Sequence, residues 1–362
     1  MKFGAQPLDL VIIGRSILSS EANPTAGLYR GLINELAHRG HRTIYLEYHE
    51  PGKKYVRDML KSPYCEVWTY GSTDQLFEEY SYAIQSADVV LMGSMVQDTN
   101  RVAEWIAEEA RGVTVYYDTN LSATIDHLHC QQDNSAFCLT ADNLRHFNLF
   151  LSTTGGPFLE NLAKRYDLGF ARPLYESVDP YSFYRTDTDK SYELGFIGTY
   201  KSDRKTLLEA TLLGPARTTP NRKFTLAGSG YDEAELPRNV TYLEHLPGTN
   251  LVDFYNRQHC SLVLSRADRR RMGYTPTRRL LAAAACGVPV LSDAWDGIDY
   301  FFEPHRELFC VDNEQDVLDV LYGQDETVRN KIGSAARQRV MAQHTVGHRA
   351  EELLEYLDEV VG

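Results

Sequence analysis

The 362-residue sequence has no long apolar stretch, and its first hydrophobic run, residues 8–13, is too short for a signal-peptide core or a bilayer span. The expected compartment is the cytoplasm. Cysteine is sparse. Cys65, Cys130, Cys138, Cys260, Cys286 and Cys310 form no C-x-x-C pair, zinc-ligand spacing or dense disulfide pattern, so they read as reduced packing residues. Positive charge is in deficit: 37 Lys and Arg against 50 Asp and Glu leave −13. That balance argues against a broad basic face for nucleic acid or anionic membrane, while leaving room for a local basic groove. There is no low-complexity tract, no repeat at solenoid or propeller periods and no G-x-G-x-x-G dinucleotide fingerprint.

What is present is a rhythm of short apolar runs. Residues 8–13, 43–46, 89–92, 113–117 and 149–151 are of strand length, and each is followed by a longer segment of mixed polarity. Runs that are apolar throughout, rather than alternating, suit parallel strands covered on both faces by helices. Leu28, Leu32, Ile33 and Leu36 recur at helical spacing, with Pro24 before them and Gly40 as a stop, so residues 8–48 read as β-α-β. The pattern restarts after a proline-containing connection, residues 172–180, with runs at 194–197, 224–227, 261–265 and 288–292. A chain of this length is expected to form two α/β, Rossmann-like domains, residues 1–175 and 176–340. A terminal helix is expected within 341–362, with Leu353, Leu354 and Leu357 on one face.

Ligands of open α/β sheets sit at the carboxyl ends of strands, where loops and helix N-termini present backbone N–H groups. Four such places hold candidate residues. The polar loop after the first strand contains Gly14, Ser16, Ser19, Ser20 and Asn23. The run 194–197 leads into Gly198, Thr199, Tyr200 and Lys201, with Arg204 just beyond; a glycine turn admits a diphosphate and the cations neutralise it. An ordinary helix start capped by Asp203 explains this turn as well. Gly228 follows the run 224–227, and His245 and Leu246 follow a further short segment. The most informative stretch is 266–293. Six arginines in its first 14 residues (Arg266, Arg269, Arg270, Arg271, Arg278, Arg279) repel one another unless an anion sits among them. The remaining histidines are scattered, and no metal motif appears.

Several of these segments, in this order, resemble the CgeB-like (spore maturation protein B-like) glycosyltransferases. More distantly they resemble the glycogen-synthase-like class of retaining GT-B enzymes. The resemblance rests on Gly198-Thr199-Tyr200 with Asp203-Arg204, residues 224–231, 239–247, Gly273-Tyr274-Thr275-Pro276, Ala285-Cys286-Gly287, and Ser292-Asp293 with Trp295 and Gly297. It implies a GT-B architecture: two Rossmann-like domains with parallel sheets facing across a cleft, and a last helix returning to the first domain. It implies a nucleotide-sugar donor (UDP-, GDP- or TDP-linked), with Gly198, Thr199 and Tyr200 near the diphosphate, and the turns themselves add Lys201 and Gly228 as donor-binding candidates. His245 and Leu246 would lie near the base, and Gly273, Tyr274, Thr275 and Arg279 near phosphate or ribose. Catalysis would proceed through leaving-group stabilisation by Arg204 and Arg279, with no cofactor or metal required and probable retention of configuration. Asp118 is the candidate acceptor-binding or base residue, although a strand-end aspartate often caps a helix.

The sequence departs from the family at Ala282, where a glutamate is expected, at Asn120, where an aspartate is expected, and in the loop around Thr25. These departures keep two other readings open: a nucleotide-sugar-binding partner without transferase activity, and an epimerase, for which only Asp118 and Asp293 offer carboxylates. The acceptor is left open among small molecule, glycan, protein and modified DNA, as is self-association.

Overall fold

The computed structural model describes residues 6–50, 52, 56–130, 137–231 and 235–362; the side chains of His129 and Cys130 lie outside the description. The chain divides into two compact units: Met1–Tyr175 together with Val346–Gly362, and Glu176–Thr345.

The first unit is built on a seven-stranded sheet, β1 (Asp9–Gly14), β2 (Arg42–Tyr48), β3 (Glu66–Tyr70), β4 (Val89–Gly93), β5 (Val113–Asp118), β6 (Leu149–Ser152) and β7 (Phe170–Pro173). Its order is β3-β2-β1-β4-β5-β6-β7, and every pairing is parallel. Strands β1, β4 and β5 are buried along nearly their whole length, as continuous apolar runs require. The helix Ala26–His38 buries Leu28, Leu32, Ile33 and Leu36. The last helix, Val346–Val361, joins the same core through Leu353, Leu354 and Leu357, and Arg39 Nη2 donates to the Gly347 carbonyl at 3.2 Å. Each such leucine contributes about 1.5–3 kcal/mol of burial.

The second unit carries a six-stranded, wholly parallel sheet: β8 (Tyr192–Ile197), β9 (Phe224–Ala227), β10 (Val240–Leu243), β11 (Gln258–Val263), β12 (Val290–Ser292) and β13 (Phe309–Cys310), in the order β10-β9-β8-β11-β12-β13. Phe196, Leu212, Phe224, Leu262 and Leu291 lie in its core. The helix Arg278–Ala285 starts at a Thr277 cap, whose Oγ1 accepts from Leu280 N at 3.2 Å, and its alanines are buried.

In each sheet the strand order reverses once, between β1 and β4 in the first unit and between β8 and β11 in the second. At such a switch point neighbouring connections leave toward opposite faces and open a crevice beyond the carboxyl ends of the strands. Among the described residues no helix is long and apolar enough to cross a membrane, and Cys65, Cys138, Cys260, Cys286 and Cys310 are free thiols.

Candidate nucleotide and acceptor sites

At the β8/β11 switch point the chain turns on Gly198, whose N–H donates to Ala227 O at 2.8 Å. Gly228 lies directly beneath. Its φ is +128°, and a Cβ there would stand 2.3 Å from the Gly198 carbonyl oxygen, so only glycine allows these turns to approach. Tyr231 donates its hydroxyl to the same carbonyl at 2.7 Å, and its ring packs 5.0 Å from that of Tyr200. Thr199 and Lys201 are exposed.

Around this turn stand three arginines. Arg204 is 5% exposed; its Nη2 donates to Thr199 O at 2.7 Å, while Nε has no hydrogen-bond partner and the Asp203 carboxylate is 3.9 Å away. Arg279, from the first turn of Arg278–Ala285, donates Nη1 to Ile197 O at 2.7 Å and lies against Gly198. It keeps solvent-accessible surface, yet the surrounding protein desolvates it and lowers its pKa, with Arg204 and Arg269 adding to the shift. Desolvation likewise lowers Arg269, with Arg266 and Arg204 adding to it and Glu176 opposing. Among the described residues neither Arg269 nor Arg279 has a carboxylate at ion-pair distance, whereas Arg266 pairs with Asp268 at 2.6 Å and Arg270 with Asp293 at 3.4 Å. Cations crowded together without counter-ions make a preformed seat for an anion.

The neighbouring Gly273-Tyr274-Thr275 loop is fixed in place. Tyr274 has a φ of +42°, donates its N–H to Asp296 O at 2.6 Å, and lays its ring over Gly297; Thr275 is buried and donates Oγ1 to Gly273 O. His245 is exposed and Leu246 half-buried beyond the end of β10. Ala282 is buried inside its helix.

At the β1/β4 switch point the first unit holds a cavity of about 740 Å³. Gly14, Arg15, Ser16, Glu21 and Ala22 line it from the loop after β1, Tyr48 and Glu50 from the end of β2, and Met95, Val96 and Gln97 from the end of β4, together with Val56 and Phe137. Of the five residues singled out in the β1 loop, Gly14 and Ser16 reach the cavity. Ser19, Ser20 and Asn23 do not line it and hold the loop instead. Ser19 Oγ donates to Val56 O at 2.6 Å, the Ser20 amide donates to Asp58 at 2.8 Å, and Asn23 Oδ1 accepts from Thr25 N and Oγ1.

Asp118, at the end of β5, is fully buried and absent from the cavity lining. Its Oδ1 accepts from the Asn120 amide at 2.7 Å, at the start of the helix Leu121–Cys130, and Oδ2 faces no donor in hydrogen-bonding geometry. Burial pushes its pKa up to about 6, offset in part by Thr124 and the Asn120 amide. Asp293 is also raised to about 6 by burial, against the Ser265 amide and Arg270, which lower it. The two carboxylates belong to different units.

Sequence reasoning passed over Glu47 and Asp58. Buried Glu47 accepts from the Ile17 amide at 3.0 Å, while Asp58 accepts from Arg30 at 2.8 and 3.0 Å. A glutamate inside the otherwise apolar-aromatic run of β2 was the one available signal. Among the described residues no cluster of three or more His, Cys, Asp or Glu could hold a metal ion.

Residues 204–355 match a family model described as glycosyl transferase-like. Solved structures align over nearly the whole chain. Sucrose-phosphate synthase from Thermosynechococcus elongatus is 15% identical, covering 98% of this chain and 99% of its own, with a TM-score of 0.69. Anabaena Alr3699/HepE, solved with UDP and glucose, is 12% identical, covering 97% and 100%, with a TM-score of 0.67. An alpha-glucosyltransferase solved with UDP-glucose and DNA containing an abasic site is 10% identical, covering 97% and 100%, with a TM-score of 0.72. The chain has the GT-B fold. In this GT-B protein the stretch that matches the family model begins at Arg204 and includes Arg269 and Arg279. A search of curated proteins finds no match.

Proposed function

We propose that this GT-B protein is a glycosyltransferase that takes its sugar from a nucleoside-diphosphate donor, with uridine as the base. The observation that carries the reading is the trio Arg204, Arg269 and Arg279 around the Gly198 turn, two of them without a carboxylate partner among the described residues. A diphosphate supplies the missing negative charge. Bound in a desolvated seat, it gains charge-assisted hydrogen bonds worth about 1.5–3 kcal/mol each. These strengthen as the sugar–phosphate bond breaks and charge moves onto the leaving oxygen, which is how fixed donors lower such a barrier. Gly198 and Gly228 let the backbone approach the phosphates, the Gly273-Tyr274-Thr275 loop and Lys201 add to the donor side, and His245 and Leu246 sit toward the base. The cavity of the first unit, with Gly14 and Ser16 in its wall, takes the acceptor. Retention of configuration and membership of the CgeB-like subgroup belong to the same proposal. Asp118 is left out of it as an acid or base, because its carboxylate is fully buried and does not line the cavity.

Calorimetric titration with UDP, GDP, TDP and ADP and their glucose conjugates tests the reading. Saturable binding of UDP and UDP-glucose is expected, weakened by about 1.5–3 kcal/mol in Arg279→Ala with little change in thermal stability. If no nucleoside diphosphate binds, or if Arg279→Ala binds as the parent does, the donor site is elsewhere.

A further inference from the structure

Three of the exposed large apolar side chains fall within nine residues of one another between β2 and β3: Val56 at 68%, Leu60 at 90% and Tyr64 at 42% relative exposure. Arg57 and Lys61 stand exposed among them. The only acid in this stretch, Asp58, is engaged: it accepts the Ser20 amide and both terminal nitrogens of Arg30, which hold its carboxyl well below the usual range. Lys53 and Lys54 precede the stretch in sequence. A chain of net charge −13 thus presents, at Arg57 and Lys61, two exposed cations among exposed apolar side chains.

The stretch is also anchored. Besides the Asp58 contacts, Ser19 Oγ donates to Val56 O at 2.6 Å and Met59 N to Leu18 O at 3.3 Å, while Arg30 Nε donates to Ile17 O at 2.5 Å. The Ser19, Ser20 and Leu18 bonds tie residues 56–59 to the loop after β1, and Arg30 bridges Asp58 to Ile17 of that loop. Leu60 next to them projects into solvent. An exposed leucine beside cations, on an anchored loop, matches the chemistry of a bilayer interface, where apolar side chains enter the acyl boundary and Lys and Arg meet anionic headgroups. A protein partner fits less well, since stable interfaces bury roughly 800 Å² per side on broad surfaces.

We propose that residues 56–64 dock the first unit onto an anionic lipid bilayer, with Leu60 entering the interface and Arg57 and Lys61 contacting headgroups. Val56 and Phe137 are exposed and also line the cavity, so the docked surface adjoins the cavity mouth. Docking itself does not depend on the chain being a glycosyltransferase.

Flotation of the full chain with vesicles of phosphatidylcholine alone, and of phosphatidylcholine mixed with phosphatidylglycerol, tests this. Binding is expected only to the anionic vesicles and is weakened by salt. Each of Arg57→Glu and Lys61→Glu should lower partitioning by about fivefold or more. Leu60→Asp should abolish it at unchanged melting temperature, because the side chain is exposed. UDP binding, measured in parallel, should be unchanged in all three variants, so a failed donor titration leaves this result interpretable. Equal binding to both vesicle types, or none, overturns the proposal, as does full binding by Leu60→Asp. A concentration-dependent dimer lost in Leu60→Asp, without vesicle binding, also overturns it and assigns the patch to a second copy of the chain.

Discussion

The loop after β1 and the turn after β8 occupy equivalent places, each at the switch point of its sheet, yet they treat charged groups in opposite ways. In the first unit Ser19, Ser20, Asn23, Arg30, Glu47 and Asp58 pair with one another or with backbone, and the product is a fixed wall around a cavity. In the second unit the backbone is equally constrained, but among the described residues Arg269 and Arg279 lack ionic partners and Arg204 keeps an unmatched Nε. A network whose charges pair internally builds shape; one with unpaired cations builds affinity for an anion.

Glycine substitution should give the largest difference between the two places. Gly228→Ala forces a Cβ onto the Gly198 carbonyl at a φ of +128° and should destabilise the second unit by about 4 kcal/mol. Gly14→Ala meets only the far end of the Tyr45 side chain and should cost about 1–2 kcal/mol. Denaturant unfolding of both variants measures this, and equal losses would remove the distinction between backbone and side-chain crowding.

Next in size is the pH dependence. Asp118 and Asp293 titrate near 6 in the folded chain, above the unfolded value of about 3.9. Between these values the folded state binds more protons. Their contribution to stability is therefore complete below pH 4 and lost as pH rises through 6, by about 3 kcal/mol for each group. Asp118→Asn should flatten that part of the profile. Arg270→Gln should move the Asp293 step upward in pH and leave the Asp118 step in place, since Arg270 faces only Asp293. An unchanged profile in Asp118→Asn would show that its carboxyl is solvated.

The smallest effect is expected from Asp58→Asn. The Arg30–Asp58 pair is partly exposed, so its loss should cost about 0.5–1 kcal/mol of stability. UDP affinity should not change, in contrast to Arg279→Ala. A fall in UDP affinity would mean that the first unit's loop network supports the donor site.

The interior strands were legible because burial on both faces demands uninterrupted apolar residues: β1, β2, β4, β5, β6, β8, β9, β11 and β12 all coincide with runs read from the sequence. The runs did not include β3, β7, β10 and β13, which are the four sheet edges. An edge strand needs only one neighbour and keeps solvent on its outer side, so Glu66–Tyr70 or Phe170–Pro173 carries no continuous apolar signature. The arginines of 266–279 were visible as a cluster, but which of them lack a partner was not. Arg266 and Arg270 turn out to be paired, whereas Arg269 is not.

The α/β class, the restart of the strand pattern in a second half and the clustering of arginines in residues 266–279 were determined by residue order alone, because periodicity and charge are local properties. Only tertiary structure decided that Asp118 is fully buried, holding the Asn120 amide, and that Asp58 closes the loop of the first unit. It also decided that Arg204 and Arg279 converge on one glycine turn. Those outcomes depend on contacts between residues far apart in the chain, and no spacing rule encodes which buried charge will find its partner.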